Sequence, residues 1–281
     1  PRAHAASSAA LALARRTGHR PFVSWALTFV TWYVYLEGRQ WDEMVQELEL
    51  ELEDVRSPVE EARILGSLVS LGSPRGQPVR ELLDRRATLI ADMTDPFLHA
   101  IQHWNEAKEL LLAGNLSQAA DLFEKAGIPG MIYPLGLAAR AALWAGDIER
   151  LTGLVDRLER DPEVPTDARA LGLAARAGLD GLEGRRSEAL AGYRDVFRRG
   201  REGAVDFEYA LFVLDAVVAL GPDEPELHQP VEDARSILER VGAQPYLAKL
   251  DEVLASGPAG NARTTDRAAD HRAESTSAEA H

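Results

Sequence analysis

A recurring phrase constrains the fold of this chain more than any other feature of its sequence. Each copy contains a helix rich in small residues, a glycine, and a second helix that begins two or three residues later. In the clearest copy, HWNEAKELLLAGNLSQAADLFEKAG at residues 103–127, Gly114 stands between the two helices. Glycine reaches the left-handed backbone conformation without steric cost, so it ends a helix readily. The phrase predicts two adjacent helices whose apolar faces contain Ala107, Leu110, Leu111, Leu116, Ala119, Phe123 and Ala126.

The spacing of the copies indicates a repeat. Gly114 and Gly146 are 32 residues apart, and Gly146 and Gly184 are 38 residues apart. These steps bracket the period of about 34 residues that is typical of tetratricopeptide repeats. More divergent copies surround Gly38 and occupy residues 207–241, the last with an insertion rich in proline.

The repeats predict one folded domain and one tail. We expect residues 1–255 to form an all-α, tetratricopeptide-like helical repeat array, that is, an α-α superhelix or solenoid. Alanine, leucine, arginine and glutamate dominate the chain, and these residues lose little conformational freedom in a helix. Residues 256–281 contain no large apolar side chain, so burial cannot offset the entropy of ordering them. We expect this tail to be disordered.

Three segments admit a second interpretation. Residues 47–52 alternate glutamate and leucine as a strand would, but both residue types favour helix, and Leu48 and Leu52 lie one helical turn apart. Residues 21–36 carry no charge, yet they fall short of the 18 or so apolar residues of a membrane span, so we expect a buried helix. Residues 5–14 are rich in alanine but lack the flanks of a signal peptide, which favours a helix of small residues.

Charge and cysteine content limit the classes of function. The chain has 45 acidic and 31 basic residues, with a formal net charge of −14. A general nucleic-acid binder needs a basic surface that displaces phosphate counterions, so we predict no nucleic-acid partner and no membrane partner. The absence of cysteine excludes disulfides, thiolate metal sites and cysteine nucleophiles, and it suits a reducing cytoplasm. We therefore predict a cytoplasmic protein.

The motifs of common enzyme classes are missing from the sequence. There is no G-x-x-x-x-G-K-[ST] phosphate loop, no dinucleotide fingerprint in a strand–helix context, and no G-x-S-x-G elbow. His99 and His103 share one helical face, but Ala100 stands where a zinc protease has glutamate, and no third ligand is indicated. We predict that this chain has no catalytic residue, no metal and no cofactor, and that it is not an enzyme on its own.

Three segments resemble the C-terminal repeat region of bacterial class III adenylate/guanylate cyclase-type regulators. They are LAARAALWAGDIERL at residues 137–151, ARAGLDGLEGRRSEALAGYRDVF at residues 175–197, and LGPDEPELHQPVEDARSILERVGAQPYLAKLDEVL at residues 220–254. In that family a cyclase-like domain and an AAA-type ATPase domain precede a tetratricopeptide-like array. Similar phrases occur in large helix-turn-helix activators, which end in a DNA-binding domain that has no counterpart here. The resemblance implies a signalling context and carries over no catalytic residue.

The resemblance and the repeats leave more than one function open. The first is a non-catalytic arm of such a regulator, which receives a protein or peptide partner or packs on the ATPase module of the same polypeptide. The alternatives are a stand-alone adaptor, and the repeat arm of an ATPase-type transcriptional regulator without its DNA-binding domain. Because the chain begins with Pro1 rather than methionine, we expect a fragment or a processed product, which favours the first.

Four residues are candidates for a binding site. Lys108 and Arg140 both stand six residues before a turn glycine, so they occupy equivalent positions on the first helices of two repeats, with Trp104 and Trp144 nearby. We hypothesise that they attract an acidic group or a C-terminal carboxylate. The other interpretation is that the two cations are surface residues with buried stems, since asparagine, which the known carboxylate clamp uses, is absent from these positions.

Overall fold

A computed structural model describes residues 2–129, 131–160 and 166–256 of the chain. These residues form fourteen α-helices and two short 3-10 turns, Ser73–Arg75 and Pro225–Leu227, and they contain no strand. The first seven helices are α1 (Arg2–Thr17), α2 (Arg20–Glu37), α3 (Trp41–Glu53), α4 (Pro58–Gly72), α5 (Arg80–Ile90), α6 (Pro96–Leu112) and α7 (Leu116–Ala126). The others are α8 (Tyr133–Ala145), α9 (Ile148–Arg160), α10 (Thr166–Leu182), α11 (Arg186–Gly203), α12 (Asp206–Leu220), α13 (His228–Val241) and α14 (Gln244–Ala255).

The starts of several helices follow from local side-chain chemistry. Ser57 precedes α4 and accepts a hydrogen bond from the backbone N–H of Glu60 at 3.2 Å, which satisfies one of the free donors of the first turn. Asp95 does the same for α6 through the N–H of Phe97 at 2.9 Å. Proline follows each cap, where its missing N–H costs nothing.

The turn glycines predicted from the sequence lie between paired helices. Gly38, Gly114, Gly146 and Gly184 have φ values between 62° and 80°, which is the left-handed region that glycine enters most easily. They separate α2 from α3, α6 from α7, α8 from α9, and α10 from α11. The prediction of an all-helical fold with a glycine turn inside each of these pairs is confirmed. The regular superhelical array remains a prediction.

The segments with two interpretations are all helical. Residues 47–52 lie inside α3, and residues 5–14 lie inside α1. Residues 21–36 belong to α2, which packs against α1, α4 and α12. Most of the segment is buried or partly buried, as expected, but Phe22 and Trp25 near its start are exposed. In the described part of the chain, no helix is long and apolar enough to cross a membrane. The predicted tail falls outside the described residues from position 257 onward.

Some contacts depart from an open array in which each pair meets only its neighbours. Helix α2 packs against α12, so the pair α2–α3 near the start of the chain contacts the pair α12–α13 near its end. The Cβ of Phe207 on α12 is 3.2 Å from the place where a Cβ on Gly38 would stand. Arg39 pairs with Asp206 at 2.9 Å, and the Nε of Arg75 donates to the carbonyl of Val241 at 3.0 Å. The sequence period gives no sign of this closure.

Candidate functional site

A cavity of about 290 Å³, partly open to solvent, lies between α2, α4, α5, α6 and the start of α8. Seven aromatic side chains line it: Phe29, Trp32, Tyr33, Tyr35, Phe97, Trp104 and Tyr133. Its polar lining includes Thr28, Thr31, Arg63, Ser67, Ser70, Arg86 and Lys108. We call this space the aromatic cavity. Its size is at the lower limit of small-molecule sites in proteins, which occupy about 300–1,000 Å³.

The aromatic wall follows from helical spacing on α2. Phe29, Trp32 and Tyr35 recur at intervals of three residues, so they project from neighbouring positions on one side of the helix. The Trp32 ring lies 5.1 Å from Trp104 of α6 and 4.5 Å from Tyr133 of α8, both in edge-to-face geometry. Edge-to-face pairs at these distances are favourable. They hold three helices around one apolar surface.

Lys108 is the central polar group of the aromatic cavity. Its side chain is 2% exposed, and its Nζ has no hydrogen-bond partner. The Nζ lies 5.4 Å from the ring centroid of Tyr35 and 5.4 Å from that of Trp104. Burial lowers the pKa of Lys108 to about 7, against a smaller opposing effect of Glu109. The rings attract a cation through their π faces, but they supply no counter-charge.

Two arginines also line the aromatic cavity, and they differ in how they are held. Arg86 is fully buried and donates to the carbonyls of Ala62 and Leu98 at 2.9 and 2.8 Å and to Gln102 at 2.7 Å. Burial lowers its pKa to about 10. Arg63 is half-buried; its Nε has no partner, and it forms no ion pair with any described residue. Arg86 therefore links α4, α5 and α6 through hydrogen bonds. The Nε of Arg63, in contrast, is a donor without a partner.

The charge of the cavity lining is opposite to that of the chain. Among the residues that the structure describes, three cationic side chains line it and no aspartate or glutamate does, although the chain as a whole carries a formal net charge of −14. Four lining side chains hold buried polar atoms without a partner: Thr31, Arg63, Trp104 and Lys108. Unpaired buried polar atoms are uncommon, since each forgoes hydrogen bonds that water would supply. The grouping of these atoms in one cavity indicates a site that an anionic ligand with hydrogen-bond acceptors can occupy.

Arg140 lies in a separate buried cluster. Its Nε donates to both carboxylate oxygens of Asp215 at 3.0 and 2.9 Å, and its Nη2 donates to Glu208 at 2.7 Å. Tyr133 donates to Glu208 at 2.5 Å, and Trp144 donates to Asp215 at 2.8 Å. These five residues form the Arg140 network, which joins α8 to α12. Burial opposes the charge of Arg140, but Asp215 and Glu208 raise its pKa well above the usual value.

The structure brings the four predicted site residues together as two pairs. Trp104 and Lys108 are in contact in the aromatic cavity, and Trp144 and Arg140 both bind Asp215. Tyr133 connects the two places, because its ring lines the cavity and its hydroxyl group belongs to the Arg140 network. Neither cation is a surface residue: Lys108 is 2% and Arg140 is 3% exposed. Only Lys108 is left without a carboxylate.

Several residues of the aromatic cavity were not indicated by the repeat pattern. Tyr35 and Trp32 come from α2, and Arg63 comes from α4, which precede the clear repeats. A usable signal was present in the uncharged segment at residues 21–36, where four aromatic residues follow helical spacing. That pattern predicts that one face of the helix is packed, but it does not predict which other helices pack against that face.

The histidine pair occupies another part of α6. The Nε2 of His99 lies 2.7 Å from the carbonyl oxygen of Met93, and the Nδ1 of His103 lies 3.8 Å from the carboxylate of Glu106. Among the described residues, no three side chains of the metal-binding types are grouped as a metal site would need.

Fold and site together define an all-helical chain with an internal cavity that is aromatic and cationic. No protein-family model, curated protein or solved structure matches the chain. The resemblance to cyclase-type regulators therefore remains a prediction from the sequence phrases.

Proposed function

We propose that this chain is a non-catalytic, ligand-binding arm of a bacterial signalling regulator. In this proposal the aromatic cavity binds a small molecule that combines a flat apolar body with an anionic group. The regulatory context rests on the resemblance of residues 137–151, 175–197 and 220–254 to the repeat region of cyclase-type regulators. The ligand-binding role rests on the contents of the cavity.

The observation that carries the proposal is the environment of Lys108. A buried amine with no hydrogen-bond partner and no carboxylate is an unfavourable arrangement that the fold maintains. An anion between Lys108 and Arg63 would supply the missing partner in a place where water competes weakly. The aromatic wall would cover the apolar body of the same molecule. Arg140 has no such role in this proposal, because Asp215 and Glu208 already neutralise its charge.

The ligand-binding part is tested by titration calorimetry with two probes of nearly equal shape, 2-naphthoate and its neutral amide, 2-naphthamide. We expect the wild-type chain to bind one molecule of naphthoate at least tenfold more tightly than the amide. A variant Lys108→Met keeps an unbranched side chain of nearly the same length and removes the amine, so it should lose this preference. Lys249→Met is the matched control, since Lys249 is partly exposed, lies away from the aromatic cavity and pairs with Glu252.

The outcomes separate the alternatives. Binding of neither probe to the wild-type chain would overturn the ligand-binding proposal. Equal loss of naphthoate binding in the Lys108→Met and Lys249→Met variants would place the interaction on the general surface rather than in the aromatic cavity.

The regulatory part is tested on the native gene product, by measuring its intact mass and its nucleotide cyclase activity with and without the ligand. A product with no cyclase or ATPase activity would contradict the cyclase context and leave the cavity as the site of a stand-alone binding protein.

A further inference from the structure

We propose that the aromatic cavity takes up a monocarboxylate together with a proton, so that Lys108 is a neutral amine in the empty site and an ammonium ion in the occupied one. This inference rests on the proposed function and names the ligand class and the regulation of the same site. It makes binding sensitive to pH in the neutral range, through one side chain.

The choice of lysine at this position is the first argument. Of the 31 basic residues in the chain, only three are lysines, at positions 108, 125 and 249. Lys125 is exposed and Lys249 is partly exposed, with 28% of its side chain accessible, so the one lysine that is buried lies in the cavity. Arginine keeps its proton in proteins, whereas a buried lysine can release it. The buried site that lacks a carboxylate therefore holds the one basic residue type that can become neutral there.

The neighbours of Lys108 on its own helix and on α2 are the second argument. Tyr35 of α2 offers a π face, and burial keeps its phenol neutral by raising its pKa well above the usual value. Glu109 follows Lys108 on α6, but its carboxylate accepts the hydroxyl of Ser73. No acidic side chain therefore lines the cavity at the amine.

The other elements around the cavity present cations or neutral groups. Helix α4 presents Arg63 and α5 presents Arg86, and both disfavour a second positive charge. From α8, Tyr133 reaches the cavity while its hydroxyl group binds Glu208 in the Arg140 network. On α7 the acidic side chains Asp121 and Glu124 pair instead with Arg150 of α9.

The balance of charge on ligand binding also favours the uptake of a proton by Lys108. The empty cavity disfavours a charge on Lys108, and the pKa of about 7 follows from that burial. A bound carboxylate restores the ammonium form, because an opposite charge within about 4–6 Å favours ionisation. One proton then moves from solvent to the Nζ lone pair, no covalent bond of the ligand changes, and the cavity gains a neutral ion pair.

The experiment measures proton uptake directly. Naphthoate is titrated into the intact chain in pairs of buffers with different ionisation enthalpies, at pH 6 and at pH 8. We expect uptake of about 0.9 proton per ligand at pH 8 and about 0.1 at pH 6, since the empty site loses its proton near pH 7. Naphthoate affinity should fall by about tenfold per pH unit above pH 8, by the same linkage.

Two variants locate the proton. Lys108→Arg should bind naphthoate with almost no proton uptake at pH 8, because arginine is already charged. Lys249→Arg should keep the wild-type uptake. Proton uptake by the wild-type chain at pH 8 tests the proposal even if the Lys108→Arg variant does not fold. Tight binding of naphthoate without proton uptake at pH 8 would overturn this inference and leave the proposed function intact, whereas absence of binding would overturn the proposed function itself.

Discussion

Single residues in this chain owe their chemistry to contacts that are distant in sequence. Lys108 and Arg140 stand at the same distance before their turn glycines, Gly114 and Gly146, and local pattern treats them as equivalent. Asp215 is 75 residues from Arg140 in sequence and neutralises it, whereas the cavity supplies Lys108 with aromatic rings alone. The repeat period placed both cations on inner helices, but it could not say which of them receives an acid.

The cost of burying Lys108 predicts a pH-dependent gain in stability on its removal. The unfolded chain keeps the lysine proton up to a pH of about 10.4, whereas the folded chain loses it above about 7 because the side chain is buried. Between these values the unfolded state binds more protons, so the free energy of unfolding of the wild-type chain rises with pH. The penalty is therefore fully present below pH 7 and fades toward pH 10.

We expect Lys108→Met to raise the free energy of unfolding by about 1–4 kcal/mol at pH 6, with a smaller gain at pH 9.5. Urea unfolding of both proteins across this range measures the difference, and Lys249→Met serves as the control, because Lys249 is partly exposed and pairs with Glu252. A gain that stays constant with pH would show that the effect comes from packing rather than from charge.

At the scale of helices, small residues set how closely neighbours approach. Gly136 of α8 faces α10, and a Cβ built on it would stand only 2.5 Å from the Cβ of Leu171. Gly153 of α9 is exposed, and nothing lies within 4 Å of its Cβ position. The same chemical change at the two glycines should therefore have opposite signs.

We predict that Gly136→Ala lowers the free energy of unfolding by about 1–3 kcal/mol, because a methyl group overfills the α8–α10 contact. Gly153→Ala should raise it by about 0.5–1 kcal/mol, because alanine is the better helix former. Thermal and urea unfolding of the two variants check the signs. If both variants were stabilised, α8 and α10 would not be in close contact at Gly136.

The sequence predicted the helices well and their neighbours poorly. The turn glycines and the helical structure of residues 47–52 follow from local propensity and periodicity, and the structure confirms both. The burial predicted for residues 21–36 holds for most of α2 but not for Phe22 and Trp25, which are exposed. The aromatic cavity forms because α2, α4 and α6 pack together, and no local sequence pattern specifies that packing. Trp104 and Lys108 were found because they lie within the clearest repeat, at residues 103–127, whereas Tyr35 precedes it.

For the molecule as a whole, the contact between α2 and α12 couples the early pairs to the late ones. The buried Phe207 ring of α12 packs edge-to-face on Tyr35 and Trp41, each with centroids 5.0 Å apart. Tyr35 also lines the aromatic cavity and faces Lys108. The contact between α2 and α12 therefore supports the part of the aromatic cavity that α2 lines.

We predict that Phe207→Ala destabilises the chain by about 3–5 kcal/mol and also lowers amide protection in α2 and α3. Hydrogen exchange followed by mass spectrometry resolves the two effects, with Phe123→Ala of α7 as an equally buried control whose main effect should fall on α6 to α8. Unchanged protection in α2 and α3 would mean that each pair depends only on its neighbours, as in a linear array.

The same closure has a consequence for how such a chain can diverge over generations. Linear repeat proteins gain and lose units by duplication and deletion, since a new unit needs only a neighbour to stack on. Here an added or deleted helix pair between α4 and α10 would change the distance between Gly38 and Phe207, which are now packed against each other. Change by substitution is therefore favoured over change by copy number, and the unequal glycine steps of 32 and 38 residues fit a chain whose units have specialised individually.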